Sequence, residues 1–529
     1  MMNKVRWKSI KKAHIIFGVV LILQLINLFM WAWMKEGYYI DELWSYGLAN
    51  SYYEPFINEM EEFVGNWHTP SYYQSYLTVD EGEAFQYLSV YNNQVQDVHP
   101  PMYYFLLHTI CSFWPGVFSK WFGLALNLMF FAGAMWILFK IGQILFGNDS
   151  TISVTPVLLY GVSLGMMNTA LYIRMYMMLV FFALMFVYLS LLWWKRSFGY
   201  PLLLALAFIT MGGFLTQYFF VIFIFFVSLL MVLWQMFHRK WREAMQYSTA
   251  VFFGLAMAVC IFPASISHMF HGDTGKEALS QAVGTISQYK QQLIEYAKVV
   301  SKDVLGFEQL WKTLLLMLFV VFLVSVVSLI TEWRKKHYHS EWFPFSMIAS
   351  GVVGYFFVVV KLVSGVASRY HFIFYPFFFL VVLYLVWCLC KYLNSKWLIW
   401  CILTIGMVVF GSQYSSGIHY IYPNNESKLE DFAQKYGTVP GYYVTEKSYD
   451  HIVINDCLVL QKQANTYVVD AADKKKMQQL AVQQPDVIVV YLSVFIEDKL
   501  LEEVMTLWNY STAEKVFTTD YTSIIVLYR

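Results

Sequence analysis

The chain has 529 residues, of which 58% are hydrophobic, 19% aromatic and 13% charged, with a formal net charge of +1. Average soluble chains carry roughly 25% charged residues, so the composition excludes an ordinary soluble enzyme. Repeated apolar runs separated by short polar stretches indicate a polytopic membrane protein. Its charge is segregated along the chain without a basic, aromatic-interleaved stripe, which argues against a nucleic-acid partner.

The chain opens with "MMNKVRWKSIKKAH" and continues as an apolar stretch ending near Met34. That stretch is long and no small-residue cleavage site follows it, so we expect an uncleaved anchor helix over 13–34 with a cytoplasmic N-terminus. Residues 35–100 contain a single basic residue, Lys35, which predicts an outside loop. The stretch 102–114 is apolar but bounded by Pro100, Pro101 and Pro115. If it lies in the interface, the clusters "WWKR", "HRKWR", "EWRKK" and "KYLNSK" all fall inside; if it spans, all fall outside. The interfacial choice is therefore taken.

The second span is then 119–146. Further spans are expected over 152–169, 175–194, 200–216, 218–237, 246–266, 311–331, 342–361, 372–391 and 397–412, about eleven in total. An odd count leaves the C-terminal region outside. Between spans, 267–310 is an outside loop with helical patterning, as in "KQQLIEYAKVV". Residues 413–529 read as a small soluble α/β domain, with strands in "HIVI", "TYVVD", "DVIVVY" and "SIIVLY" and helices in "KKKMQQLAVQQ" and "EDKLLEEVMTLW". The cysteines at 111, 260, 388, 390 and 401 lie in apolar segments, while Cys457 stands in the polar tail. That pattern supports neither a disulfide framework nor a zinc site.

Three groups of residues carry chemistry. The first loop holds eleven acids, and Asp41 and Glu42 differ from the rest by following the first helix directly, among aromatics and without a basic partner close by. On a helix Asp41 shares a face with Ser45, and Glu42 shares one with Tyr46 about 100° away, so the two acids need not do the same job. One can accept a proton from an incoming hydroxyl while the other braces the loop or binds a cation. The plainer reading is a helix-end cap.

In "DVHPPMYY" the paired prolines make a rigid entry into the interfacial helix, holding Asp97 and His99 at its mouth. A histidine there can meet a phosphate or merely cap the helix, and Tyr103 and Tyr104 suit an aromatic belt equally well. Finally, Arg174 in "LYIRMYMM" and Arg369 in "ASRYHF" lie at the outer ends of expected spans. Cations at membrane depth are costly and usually have a partner or a function. A lipid-borne phosphate fits the arginine fork; snorkelling to headgroups is the alternative.

The acidic pair in "IDELWSYGLANS", the "DVHPPMYYFLLH" segment, the "RMY" opening a later helix and the "SRYHF…P" near the last spans together resemble the GT-C class of membrane glycosyltransferases. The likeness is to the protein O-mannosyltransferase and aminoarabinose-transferase-like branch, over roughly residues 1–412. It implies a polytopic α-helical GT-C fold with interfacial helices in the first outside loop (35–118), followed by the extracytoplasmic α/β domain of 413–529. It also implies transfer of a sugar from a polyprenyl-phosphate-linked donor to an envelope polymer, lipid or protein acceptor on the extracytoplasmic face of the cell membrane.

By the same resemblance Asp41 matches the catalytic general base and Glu42 a supporting acid. His99, Arg174 and Arg369 match donor-phosphate ligands, with Asp97, Tyr103 and Tyr176 supporting the site. Some branches bind a divalent metal near the acids, so a divalent ion is possible; no ligand set is identifiable, and His268 and His271 are only candidate contributors. A transporter or flippase of lipid-linked glycans suits the helix count, but the sequence shows neither the internal repeats nor the interrupted helices that transporters use. A polysaccharide polymerase or ligase would place its functional loop late, at 267–310.

Overall fold

The computed structural model describes residues 2–60, 62–147, 151–196, 199–335, 338–483 and 485–529. Glu61 of the first-loop acids and Lys336 of the "EWRKK" cluster fall outside these ranges. The chain divides into two compact units. One comprises Met1–Trp33, Val98–Tyr103 and Leu124–His419; the other comprises Met34–Asp97, Tyr104–Gly123 and Tyr420–Arg529. Most of the loop 35–118 falls in the same unit as the C-terminal region.

Among the described residues, nine helices are long and apolar enough to cross a membrane. They are Lys12–Trp33, Lys120–Leu145, Tyr176–Lys195, Phe220–Phe237, Trp241–Ile261, Glu308–Lys335, Phe343–Leu362, Tyr375–Tyr392 and Trp397–Gly417. The two remaining expected spans take other forms. The stretch expected to cross at 152–169 is a pair of helices, Ile152–Gly161 and Leu164–Leu171, bent by 62°. Ser163 explains the break: its hydroxyl donates to Tyr160 O at 2.7 Å and accepts from Met166 N at 3.2 Å, capping a new helix where the old one would continue. Tyr200–Thr216 has only 17 residues, short of the roughly twenty that a crossing takes. The expected 246–266 span lies earlier, at Trp241–Ile261, because Pro263 forces Phe262 out of helical geometry.

The late loop is helical, as its pattern predicts. Helix Ile286–Leu305 begins at a Thr285/Gln288 capping box and ends where Gly306 adopts φ 88°, a left-handed conformation that glycine takes without a Cβ penalty. Its buried side includes Tyr296, Val300, Asp303 and Val304.

The second unit is built on a six-stranded sheet. Its strands are β1 (Trp67–His68), β2 (Gly441–Thr445), β3 (Thr466–Asp470), β4 (Val487–Ser493), β5 (Thr512–Thr518) and β6 (Thr522–Tyr528), in the order β1-β3-β2-β4-β6-β5. The central β3, β2 and β4 run parallel, while β1, β6 and β5 join antiparallel. One face packs Val444, Val469, Val490 and Leu527 against Leu500, Val504 and Trp508 of helix Glu497–Trp508. The other covers Tyr443 and Tyr491, which stack at 5.9 Å. Burial on both faces is why the central strands read as continuous apolar runs rather than alternating ones.

One expectation for this region fails. "HIVI" is helical, running into Val453–Leu460, because its apolar residues continue at helical spacing through Cys457 and Leu460. Asp456 on that helix is buried and accepts from Tyr443, Thr519 and Thr522 hydroxyls at 3.0, 2.8 and 2.6 Å. Strands β1, contributed by the first loop, β2 and β5 are not expected from the sequence.

Candidate active-site residues

In the second unit, helix Ile40–Asn50 carries Asp41 and Glu42. Its position is tightly determined. Asn50 Nδ2 donates to Leu77 O at 2.8 Å, Tyr46 OH donates to Ser119 O at 2.7 Å, and Gly47 lies against the Tyr76 ring, where a Cβ would come within 2.3 Å. Substituting Gly47 would therefore push these helices apart. Such fixed backbone is what a reacting side chain needs for a reproducible geometry.

The two acids have different environments. Glu42 is fully buried; it accepts from Lys35 Nζ at 2.9 Å and from the Tyr39 backbone N at 2.7 Å. Contrary to the expectation from the sequence, the pair thus has a basic partner, folded back from seven residues earlier. Lys35 also donates to Tyr420 O, and its own carbonyl accepts from Lys120 Nζ. Burial lowers the Lys35 pKa, against the opposing pull of the Glu42 carboxylate.

These are the contacts of a brace. A buried pair is costly to break on one side only, since the remaining charge stays uncompensated. Glu42→Gln is accordingly expected to destabilise the protein by about 3 kcal/mol, measured by denaturant melting in detergent. Unchanged stability would remove the bracing role.

Asp41 is half-buried at the first turn of the same helix. The Ser45 hydroxyl donates to its backbone carbonyl at 3.0 Å. Tyr521, in the β5–β6 turn, lies within electrostatic reach of it. Burial, then the Tyr39 hydrogen bond and the nearby Asp520 and Asp41 charges, hold the Tyr521 phenol above its ordinary pKa. The tail therefore supplies a residue to the surroundings of the candidate base. Asp97, also in this unit, is half-buried and caps helix Tyr87–Gln96, with its N–H on Asn93 O at 3.1 Å.

The first unit holds His99, Tyr103, Arg174, Tyr176 and Arg369. Pro100 and Pro101 are buried, and helix Met102–Cys111 starts directly after them, as paired prolines dictate. Arg174 is buried in the non-helical stretch between helices Leu164–Leu171 and Tyr176–Arg196. Asn127 Nδ2 reaches the carbonyls of Ala170 and Tyr172 at 3.0 and 2.7 Å, satisfying oxygens that the break releases. Tyr172 and Tyr176 stack across it at 5.7 Å. Arg174 Nη2 donates to His99 Nε2 at 3.2 Å; a guanidinium has only donors, so His99 is the acceptor. Two residues 75 apart in the chain are thus brought together.

Arg369 is half-buried in the short turn Ser368–His371, with its guanidinium 5.4 Å from the Tyr370 ring. Tyr176 lies edge-on to Phe372 at 5.5 Å, and Tyr103 is fully buried. Tyr296 lies within electrostatic reach of Arg369 and Tyr176. Burial raises its pKa, while the Arg369 charge lowers it and Tyr176 is near enough to add to the rise.

Helix Ile286–Leu305 supplies what the sequence reading missed. Tyr296 OH donates to Gly365 O, Gln292 reaches Val363 O, and Tyr375 OH donates to Asp303 Oδ2 at 2.6 Å. Asp303 is buried and takes a further, longer bond from Asn168 Nδ2 at 3.5 Å. The available signal was an acid on the apolar stripe of an amphipathic helix, at i+7 from Tyr296.

Among the described residues no group of three or more His, Cys, Asp or Glu is arranged to hold a metal ion. His268 Nδ1 is instead paired with the Tyr218 hydroxyl at 2.9 Å.

No protein-family model matches the chain, and no curated protein sequence does. Among solved structures, the chain is similar to ArnT from Cupriavidus metallidurans in the apo state, at 10% identity and TM-score 0.45, covering 97% of each chain. It is also similar to the oligosaccharyltransferase AglB from Archaeoglobus fulgidus in complex with an inhibitory peptide and a dolichol-phosphate, at 9% identity and TM-score 0.48, covering 96% of this chain and 74% of that one. An Archaeoglobus fulgidus oligosaccharyltransferase complex with Zn and sulfate gives 10% identity and TM-score 0.42, over 95% and 72% of the two chains. With TM-scores below 0.5, these likenesses assign no activity to the chain.

Proposed function

We propose that this protein is a membrane glycosyltransferase of the GT-C class, moving a sugar from a polyprenyl-phosphate-linked donor to an acceptor hydroxyl on the extracytoplasmic face. The observation that carries the reading is the buried Arg174, at a helix break flanked by stacked tyrosines, with its guanidinium on His99. A buried cation in a membrane protein is expensive to maintain and marks a functional site by default. Guanidinium and imidazole together suit a phosphate better than they suit a neutral sugar. The motifs that hold these residues are the ones that resemble the GT-C class.

Each group has a distinct part in the chemistry. The acceptor oxygen attacks the anomeric carbon as the bond from that carbon to the phosphate oxygen breaks. The hydroxyl proton passes to the Asp41 carboxylate, and the bonding pair leaves on the phosphate. Positive charge develops on the sugar while negative charge grows on the leaving group. Arg174, His99 and Arg369 stabilise that negative charge in a partly dehydrated setting, where fixed donors act most strongly. One displacement inverts the anomeric configuration. Glu42 supports the helix that carries the base, and the N-terminus is cytoplasmic.

A flippase for lipid-linked glycans is the second reading, and one observation favours it. The 62° break between Ile152–Gly161 and Leu164–Leu171 is an interrupted helix of the kind transporters use. Lipid analysis after deletion of the gene separates the two. The glycosyltransferase reading expects a sugar on a polyprenyl monophosphate to accumulate in the outer leaflet. Accumulation in the inner leaflet supports the flippase, and a whole glycan accumulating on a diphosphate supports a ligase.

A further inference from the structure

The turn that carries Arg369 is held from both ends by one helix. Upstream, Tyr296 OH donates to Gly365 O; downstream, Tyr375 OH donates to Asp303 Oδ2 at 2.6 Å. Both anchors lie on helix Ile286–Leu305, on its buried side. Asn168 Nδ2 approaches the other oxygen, Oδ1, at 3.5 Å, and Asn168 is itself fixed by Gly417 O and the His419 N–H, each at 2.9 Å. Neutral donors thus converge on one buried carboxyl, and no ion pair with it forms among the described residues. A hydrophobic side chain would fill that place at far lower desolvation cost.

We propose that Asp303 is a positioning residue that, through Tyr375, holds the turn Ser368–His371 and so sets Arg369 for the donor phosphate. The inference rests on the reading of Arg369 as a phosphate ligand. An ionised carboxylate offers only acceptors, which is what a hydroxyl and an amide N–H both require. Protonation places a donor among donors and loosens the anchor. Burial pushes the Asp303 carboxyl up to about 6, against the hydrogen bonds of Tyr375 and Asn168, the adjacent Lys302 charge and the Ser368 hydroxyl. Those are the polar and charged groups that act on it, Lys302 from its own helix and the others from the elements packed against it. The anchor is therefore intact well above that pH and released below it.

The test uses the full chain in lipid nanodiscs with a long-chain polyprenyl phosphate as the probe, its affinity measured between about pH 5 and pH 8. The phosphate monoester itself titrates near pH 6, so the reading is the ratio of wild-type to variant affinity at each pH. Asp303→Asn is expected to bind about tenfold more weakly at the upper end, with the gap closing at the lower end, where wild-type Asp303 is neutral. Tyr375→Phe removes one arm of the anchor and is expected to shift binding the same way by a smaller factor; it carries the test if Asp303→Asn does not fold. In an Arg369→Gln background, Asp303→Asn should add nothing. Equal affinities throughout, a gap that does not change with pH, or an undiminished loss in the Arg369→Gln background each overturns the proposal. If the wild type binds no polyprenyl phosphate, the functional reading fails first and this inference falls with it.

Discussion

Asp41→Asn is expected to lower sugar transfer by about a thousandfold while the protein stays folded and inserted. The size follows from proton transfer, since a positioned general base contributes roughly 10²–10⁴ in rate and an amide of the same shape cannot take the proton. The fold should tolerate the change because asparagine keeps the shape and polarity of the side chain at the start of a helix. The brace beneath it belongs to Glu42 and Lys35. Turnover of donor by the purified protein in vesicles, alongside a melting curve, checks both halves. Full activity would remove Asp41 from the mechanism. A loss of activity matched by a loss of folding would make it structural.

Arg174→Gln carries the second large effect, a fall of about a hundredfold in kcat/KM for the donor. Glutamine keeps a donor for His99 but removes the charge that a phosphate requires. The loss should appear with donors that retain the phosphate and be unaffected by changes in the acceptor. Arg174→Lys should recover only part of it, because an ammonium lacks the planar fork and cannot hold both His99 and a phosphate oxygen in fixed geometry. Complete rescue by lysine would reduce Arg174 to a bulk charge. Unaltered kinetics in Arg174→Gln would exclude it from donor binding.

Long apolar periods are legible because each span needs only its own residues. Nine of the expected helices stand as continuous candidates, and the exceptions trace to local chemistry at Ser163 and to the short run Tyr200–Thr216. The placement of Arg174 just ahead of a helix could also be read directly, since "RMY" leads into Tyr176–Arg196. Its contact with His99 could not: sequence offers no signal for a pairing across 75 residues. The same limit hides Lys35 from Glu42, because a lysine just past a span reads as a snorkelling cation rather than a buried partner. Strand β1 is two residues long, too short for any alternation to register, yet it joins the first loop to the tail's sheet. Asp303 was visible as an anomaly on an apolar stripe, but its meaning depends on Tyr375, which lies in another helix.

The division of labour between acid and cation is the central claim, and polyprenyl phosphate binding tests it most directly. Native mass spectrometry of the full chain with a sugar-free polyprenyl phosphate should show one retained lipid on the wild type and equally on Asp41→Asn, because the base does not hold the donor. Arg174→Gln should lose it. Retention of the lipid by Arg174→Gln at wild-type occupancy, or its loss from a folded Asp41→Asn, would contradict the account.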